Sequence, residues 1–254
     1  MNTSIQLEQL NYKEVKNQHF DLAILPWGAT EAHNFHLPYG TDNYETNVIV
    51  KQSAQLANDK GVKVLVLPTI PFGVNTGQSD IAYDINMLPS TQSAIIKDVA
   101  TSVFSQTDKL LIFNGHGGND FKSIIRELGM VFPDKKLLTC NWFQTLDHDK
   151  YFNHAGDHAD EMETSLMMYL YPELVRPLSE AGNGQNKRFR VDALNQKWAW
   201  AEREWSKISN DTGVGNPAHS TAAKGERFFN DLCQVISKFL IELANTPLDD
   251  FYGY

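Results

Sequence analysis

Leu22-Ala-Ile-Leu-Pro-Trp27 runs directly into Gly-Ala-Thr-Glu31-Ala-His33-Asn-Phe-His36-Leu-Pro-Tyr-Gly-Thr-Asp42. The first part is almost continuously apolar, so both of its faces are expected to be covered, as in a parallel sheet. Three more runs share this character, at residues 62–70, 110–113 and 137–142. Helical patterns lie between them. In 91–104, Ile95, Ile96, Val99 and Val103 share one face, with Ser90 expected to cap the start after Pro89. In 119–131, Ile124, Ile125 and Leu128 fall together. In 221–243 a broad stripe carries Phe228, Phe229, Leu232, Val235, Ile236, Phe239, Leu240 and Leu243. Strand alternating with helix predicts an α/β chain, a three-layer α/β/α sandwich around a mostly parallel sheet.

The chain has 254 residues, enough for one domain with a sizeable core, and residues 1–254 read as a single domain. A formal net charge of −9 argues against nucleic acid or an anionic membrane as a partner. No apolar run is long enough to span a bilayer, and the first residues lack the features of a signal peptide. With only Cys140 and Cys233, disulfide scaffolding is not expected and a cytoplasmic location is. Residues 181–217 are polar, with Trp198, Trp200 and Trp205 among charges, and read as an excursion over the surface, a lid or a subunit contact.

The chemistry concentrates just after apolar runs. Glu31, His33 and His36 follow the first, and Asn114-Gly-His116-Gly-Gly-Asn119 follows the third. In open α/β sheets ligands bind beyond the carboxyl ends of strands, so these segments should converge. Glu31 and His33, two apart in extended chain, point to one side. Asp42, after a Pro-Tyr-Gly turn, is the carboxylate placed to bridge two divalent ions. The glycine run lacks the Lys-Ser/Thr of a phosphate loop, so its better account is close backbone approach with His116 aimed into the site. In a third segment Glu163, Leu166, Met167 and Leu170 stand at i, i+3, i+4 and i+7, so Glu163 heads an apolar helical stripe. A carboxylate there needs a metal, a cation or hydrogen bonds, and His158 or a metal would serve. Asp160 and Glu161 suit a solvated helix start, and Pro172 should end the helix.

These segments, together with Thr212-Gly-Val-Gly-Asn-Pro-Ala218 and Ala222-Ala-Lys-Gly225, resemble the creatininase (creatinine amidohydrolase) family over nearly the whole chain. The resemblance implies a dinuclear site for zinc, manganese or iron and a hexamer built as a trimer of dimers. It implies Glu31 and His116 on one ion, His33 on the other, Asp42 between them and His158 as the catalytic histidine. An acid that completes the second ion's shell in creatininase is Gly118 here, so Glu163 or water is expected instead. The tryptophan that closes over creatinine is replaced by His154, and Asn34 stands where many members have Gly. The expected activity is hydrolysis of a C–N bond in a small cyclic or related amide by a metal-bound hydroxide. His158 would give a proton to the leaving nitrogen, with Asp157 or Glu161 holding its tautomer, and Glu163 would act as a ligand or orient the water. Gly117, Gly118 and Asp157 are expected to contact substrate. A deformylase or peptide amidase of the same family is the alternative, and a non-catalytic metabolite-binding protein is a third.

Overall fold

Alternate residues of four parallel strands enter two separate apolar cores, and this makes the three layers. The computed structural model describes residues 5–154 and 156–253. Its strands are β1 (Leu22–Trp27), β2 (Val64–Val66), β3 (Lys109–Asn114) and β4 (Lys136–Asn141). Its helices are α1 (Tyr12–Val15), α2 (Thr41–Asn58), α3 (Pro89–Val103), α4 (Lys122–Gly129), α5 (Glu161–Leu170), α6 (Asp192–Asn195), α7 (Trp205–Ile208) and α8 (Ala222–Asn245). Leu22, Ile24, Val64, Val66, Leu111 and Phe113 pack against α2, α5 and α8 through Ile49, Leu166 and Phe228. Their neighbours Ala23, Leu25, Trp27, Leu65, Leu110 and Ile112 face the other way, against Ile96 of α3 and Ile124 and Leu128 of α4. Each fully buried Leu, Ile or Phe contributes roughly 1.5–3 kcal/mol.

The strand order is β2-β1-β3-β4. From β1 the chain steps one way to β2, then crosses back over β1 to reach β3. Keeping one crossover hand requires α2 and α3 to lie on opposite faces, as they do. The order therefore reverses between β1 and β3, and the crevice beyond their carboxyl ends is where such sheets bind ligands.

Several local expectations are corrected. The run 62–70 is strand only over Val64–Val66, because Pro68 and Pro71 lack the N–H a ladder requires. Ser90 does not cap α3: Leu88 holds the N-cap position and Pro89 opens the helix. The helix expected over 119–131 is Lys122–Gly129, since the Asn119 side chain bonds Val74, Gln92 and Asn114 instead of a helix. Asp160 and Glu161 are buried rather than solvated. Asp160 caps α5 through the N–H groups of Met162 and Glu163, and Glu161 pairs with Lys224. Gly225 of α8 sits where no side chain would fit. A Cβ there would lie 1.9 Å from the Ser165 carbonyl oxygen, so it is what lets α8 cross α5.

At the opposite end of the sheet from the crevice, the buried Lys109 ammonium donates to the carbonyls of Leu243, Ala244 and Thr246 at 2.7, 2.9 and 2.5 Å. It closes the C-terminal end of α8. Cys140 and Cys233 are free thiols, and burial pushes them up to about 11 and about 12. No helix among the described residues is long and apolar enough to cross a membrane.

Candidate metal centre

Six acidic and imidazole side chains from four segments meet beyond β1 and β3. Asp42 is the second residue of α2, in its first turn. Its Oδ1 lies 3.0 Å from His33 Nε2 and its Oδ2 lies 3.0 Å from His116 Nδ1. Glu31 Oε1 is 2.9 Å from the same His116 nitrogen and 3.7 Å from His158 Nδ1. Potential ligand atoms within 4.8 Å of one another form the groups Glu31–Asp42–His116 and His33–Asp42–Glu163, and a third joins Glu31, His33 and His158. Asp42 belongs to both of the first two.

Each ring is oriented by a backbone carbonyl on its far nitrogen. His33 Nδ1–H donates to Glu31 O at 3.1 Å, which turns Nε2 towards Asp42. His116 Nε2–H donates to Val74 O at 3.1 Å, which turns Nδ1 towards Glu31 and Asp42. Asn114 pins the His116 backbone at both ends: its Oδ1 accepts from the His116 N–H and its Nδ2 donates to the His116 carbonyl. This is the arrangement that fixes tautomer and ring direction in histidine ligands. Gly118 is closed in by the same His116–Val74 hydrogen bond. A Cβ on it would stand 2.3 Å from Val74 O and 2.5 Å from His116 Nε2, so no side chain fits there.

The electrostatics fit a cation between these groups. Burial alone would raise Glu31, but the His116 imidazole bonded to it holds it well below the carboxylate range. Burial opposes charge on His33, yet Asp42 takes it up to about 10, and Glu31 and Asp42 likewise raise His116 well above its usual value. Burial, with Asp42 and Asp160, lifts Glu163 to about 8 against the opposing pull of His33. Glu163 Oε2 accepts from the Ala159 N–H, which meets part of the need of a carboxylate heading an apolar stripe. Without ions, protons must serve as the positive charge here. Two divalent cations suit this oxygen and imidazole donor set.

His158 has a different environment. Its Nε2–H donates to Ala32 O at 2.8 Å, so Nδ1 is the free nitrogen facing Glu31. Burial and then His33 lower its pKa, which keeps it neutral. The expectation that Asp157 or Glu161 holds this tautomer is therefore corrected. Asp157 pairs with Arg203, and Glu161 accepts from Lys224 and from the N–H groups of Asn153 and His154. A backbone carbonyl does what a carboxylate was expected to do.

His36, although in the same stretch, bonds Thr164 Oγ1 at 2.8 Å, and burial presses it down to about 4. It supports the site without joining a ligand group. Asn34 adopts φ +54, a conformation asparagine tolerates better than most residues, and bonds both Gly182 N and Gly182 O. That ties the start of the 181–217 excursion to the loop carrying Glu31 and His33.

The centre opens into a cavity of about 610 Å³. Glu31, Asp42, His116, Gly117, Gly118, Asp157, His158 and Glu163 all line it. So do groups that the residue spacing did not single out, notably Gln78, whose amide donates to Glu31 Oε2, and Arg203. Gln78 lies 47 positions from Glu31, and a lone amide carries no spacing that would mark it. Trp205, Trp200 and Lys197 form the far wall, so part of the excursion covers the cavity.

Comparison with known proteins gives concordant findings. A family model described as creatininase (creatinine amidohydrolase) matches residues 8–240. The mycofactocin precursor peptide peptidase of Mycobacterium ulcerans is 24% identical over 217 residues, 82% of this chain and 80% of that one. The creatinine amidohydrolase of Pseudomonas putida is 24% identical over 203 residues, 69% of this chain and 75% of that one. The crystal structure of a proposed creatinine amidohydrolase from Bacteroides fragilis NCTC 9343 superposes with a TM-score of 0.90 at 43% identity, covering 98% of this chain and 99% of that one. Creatininase structures of a manganese form and of a mutant in a Zn-Zn form share the fold, each with a TM-score of 0.79 at 19% identity and 96% of this chain covered.

Proposed function

The chain belongs to the creatininase family of amidohydrolases, and from that premise we propose that it hydrolyses the C–N bond of a small amide at a pair of divalent ions. Glu31, Asp42 and His116 would hold one ion, and His33, Asp42 and Glu163 the other. The observation that carries this is the Asp42 carboxylate, with one oxygen 3.0 Å from each of two imidazoles whose far nitrogens are fixed by carbonyls. Zinc and manganese are the favoured ions, in keeping with the forms of the related creatininases; iron is compatible with the same donors.

When bound, such ions activate water as a nucleophile and polarise the carbonyl oxygen under attack. The protein's own groups do the rest. His158, neutral and with Nδ1 free, is positioned to take a proton on the Glu31 side and return it to the leaving nitrogen. Its Nε2–H stays on Ala32 O throughout, so the proton moves at one nitrogen only. Glu163 supplies the carboxylate that position 118 has no room for. Gly117, open on its side-chain face, leaves space for substrate against the backbone. Gly118 and Asp157 complete that part of the wall.

A second substrate reading has its own support. A cavity of about 610 Å³ is suited to ligands larger than a small cyclic amide, and a peptidase is among the relatives. Cleavage of an amide bond in a peptide is therefore the competing assignment. The test is metal content per chain together with product release from creatinine, small formamides and short peptides. Two ions and release from one class assign the branch. Two ions with no release from any of them would reject amide hydrolysis.

A further inference from the structure

His158 is fixed at one point by its hydrogen bond to Ala32 O, and a single bond leaves an imidazole free to swing about the N···O line. Two rings close off that freedom. The His33 ring lies with its centroid 4.2 Å away, and the Trp205 ring meets it edge-on at 4.7 Å. Trp205 belongs to the excursion and is 47 residues further along the chain.

The excursion is fastened to the residue beside His158. Arg203 lies over the Trp205 ring with its guanidinium carbon 4.8 Å from the centroid. The same guanidinium bonds both carboxylate oxygens of Asp157, at 3.2 and 2.9 Å. Asp157, Arg203, Trp205 and His158 thus form a closed circuit in which each member touches the next. Further ties secure the segment across the cavity: Glu202 accepts from Thr76, and Ser206 donates to Asp80. Among the described residues, the Arg203–Asp157 pair is the link from this segment to the His158 side of the cavity mouth that also bears on Trp205.

We infer that Trp205 is a positioning residue for His158, held in place by Arg203 clipped to Asp157. Trp205 keeps Nδ1 of His158 aimed at the centre, and the excursion is thereby part of the catalytic apparatus rather than a cover alone. The inference rests on the proposal that His158 carries the proton, and adds to it the group that aims the ring. It also gives Asp157 a role other than substrate contact.

The experiment uses the zinc-loaded full chain with ring-15N-labelled histidine, and compares wild type with Trp205→Ala, Trp205→Phe and Arg203→Met. The His158 signal is assigned by its absence in His158→Gln. In wild type it should report one tautomer, protonated at Nε2. Trp205→Ala should give an averaged or doubled His158 signal with unchanged zinc content, and Trp205→Phe should restore the single form. Arg203→Met should loosen the signal in the same direction without removing a ring. With an amide that wild type hydrolyses, Trp205→Ala should lower kcat about 10- to 100-fold with little change in KM, since small misplacements of a reacting group cost that much. Trp205→Phe should recover most of it. A wild-type His158 signal retained in Trp205→Ala overturns the inference, as does kcat lost only in step with zinc. Should wild type hydrolyse no amide, the proposed function fails while the tautomer spectra still decide the role of Trp205.

Discussion

Replacing Gly118 by alanine places a Cβ 2.3 Å from Val74 O and 2.5 Å from His116 Nε2, the two ends of one hydrogen bond. Ordinary contact begins near 3.4 Å, so both must retreat by about 1 Å. Neither is the loose end of a flexible side chain. Val74 O is backbone, and the His116 loop is pinned by Asn114 on both sides. Losing the hydrogen bond costs about 1 kcal/mol, and overpacking a fitted site adds roughly 1–3 kcal/mol. The expected destabilisation of the metal-free protein is therefore about 2–4 kcal/mol. His116 also loses the partner that fixes its tautomer, a loss that typically lowers metal affinity about 10- to 100-fold. Gly117→Ala is the matched control, because a Cβ there meets nothing within 4 Å. It should stay within about 0.5 kcal/mol of wild type. Urea unfolding in the presence of chelator measures the first effect, and zinc competition against a coloured chelator measures the second. If the two alanine variants behave alike in both assays, the account of Gly118 as the closure over His116 is wrong.

Other expectations follow from individual groups. Lys109→Met should cost about 2–4 kcal/mol in urea unfolding by removing a buried charged donor from three carbonyls at the end of α8. It should leave metal content untouched, because it lies at the far end of β3 from the centre; a change in metal binding would contradict that separation. Glu45 is buried in α2 with neither carboxylate oxygen bonded, and burial, with Glu163 and Asp42 nearby, raises it well above its usual 4.5. The folded state then keeps a proton that the unfolded chain gives up above pH 4.5, so metal-free stability falls by about 1.4 kcal/mol for each unit of pH between the two values. Glu45→Gln should be more stable than wild type near neutral pH and lose that advantage by about pH 4. An advantage independent of pH would refute the titration. His158→Gln should retain the wild-type metal content while turnover falls by about 100-fold or more. Metal loss in that variant would place His158 among the ligands instead.

Much of the architecture was legible because the strands bury both faces. The runs at β1 and β3 are buried along their whole length and mostly apolar, and ligand-type residues stand just beyond their carboxyl ends. The crevice between β1 and β3 was harder to see, since strand order is not written in any one strand. Helix α2 went unread, and with it the placement of Asp42 in a first helical turn. Its buried face is filled by Thr46, Ser53, Ala54 and Ala57 as much as by Ile49 and Val50, so no apolar stripe announces it. The convergence of Glu31, His33, Asp42 and His116 was anticipated by residue type and spacing. What orients them was not, because Glu31 O, Ala32 O and Val74 O are backbone atoms and carry no mark of residue type. Gly118 read as a ligand that had been lost. In the fold it is a place where the backbone comes too near Val74 for any side chain, and Glu163 stands within reach of His33 and Asp42. Trp205 was visible as one of three tryptophans in a polar excursion, but its contact with His158 depends on how that excursion folds back.

Asp42 is proposed to hold both ions. Crystals of the full chain soaked in manganese or zinc, with anomalous scattering recorded at the metal edge, test it directly. Two peaks about 3.5–4 Å apart are expected beside the Asp42 carboxylate, one near Glu31 and His116 and the other near His33 and Glu163. A single peak, or two peaks with Asp42 bound to only one of them, would contradict that assignment.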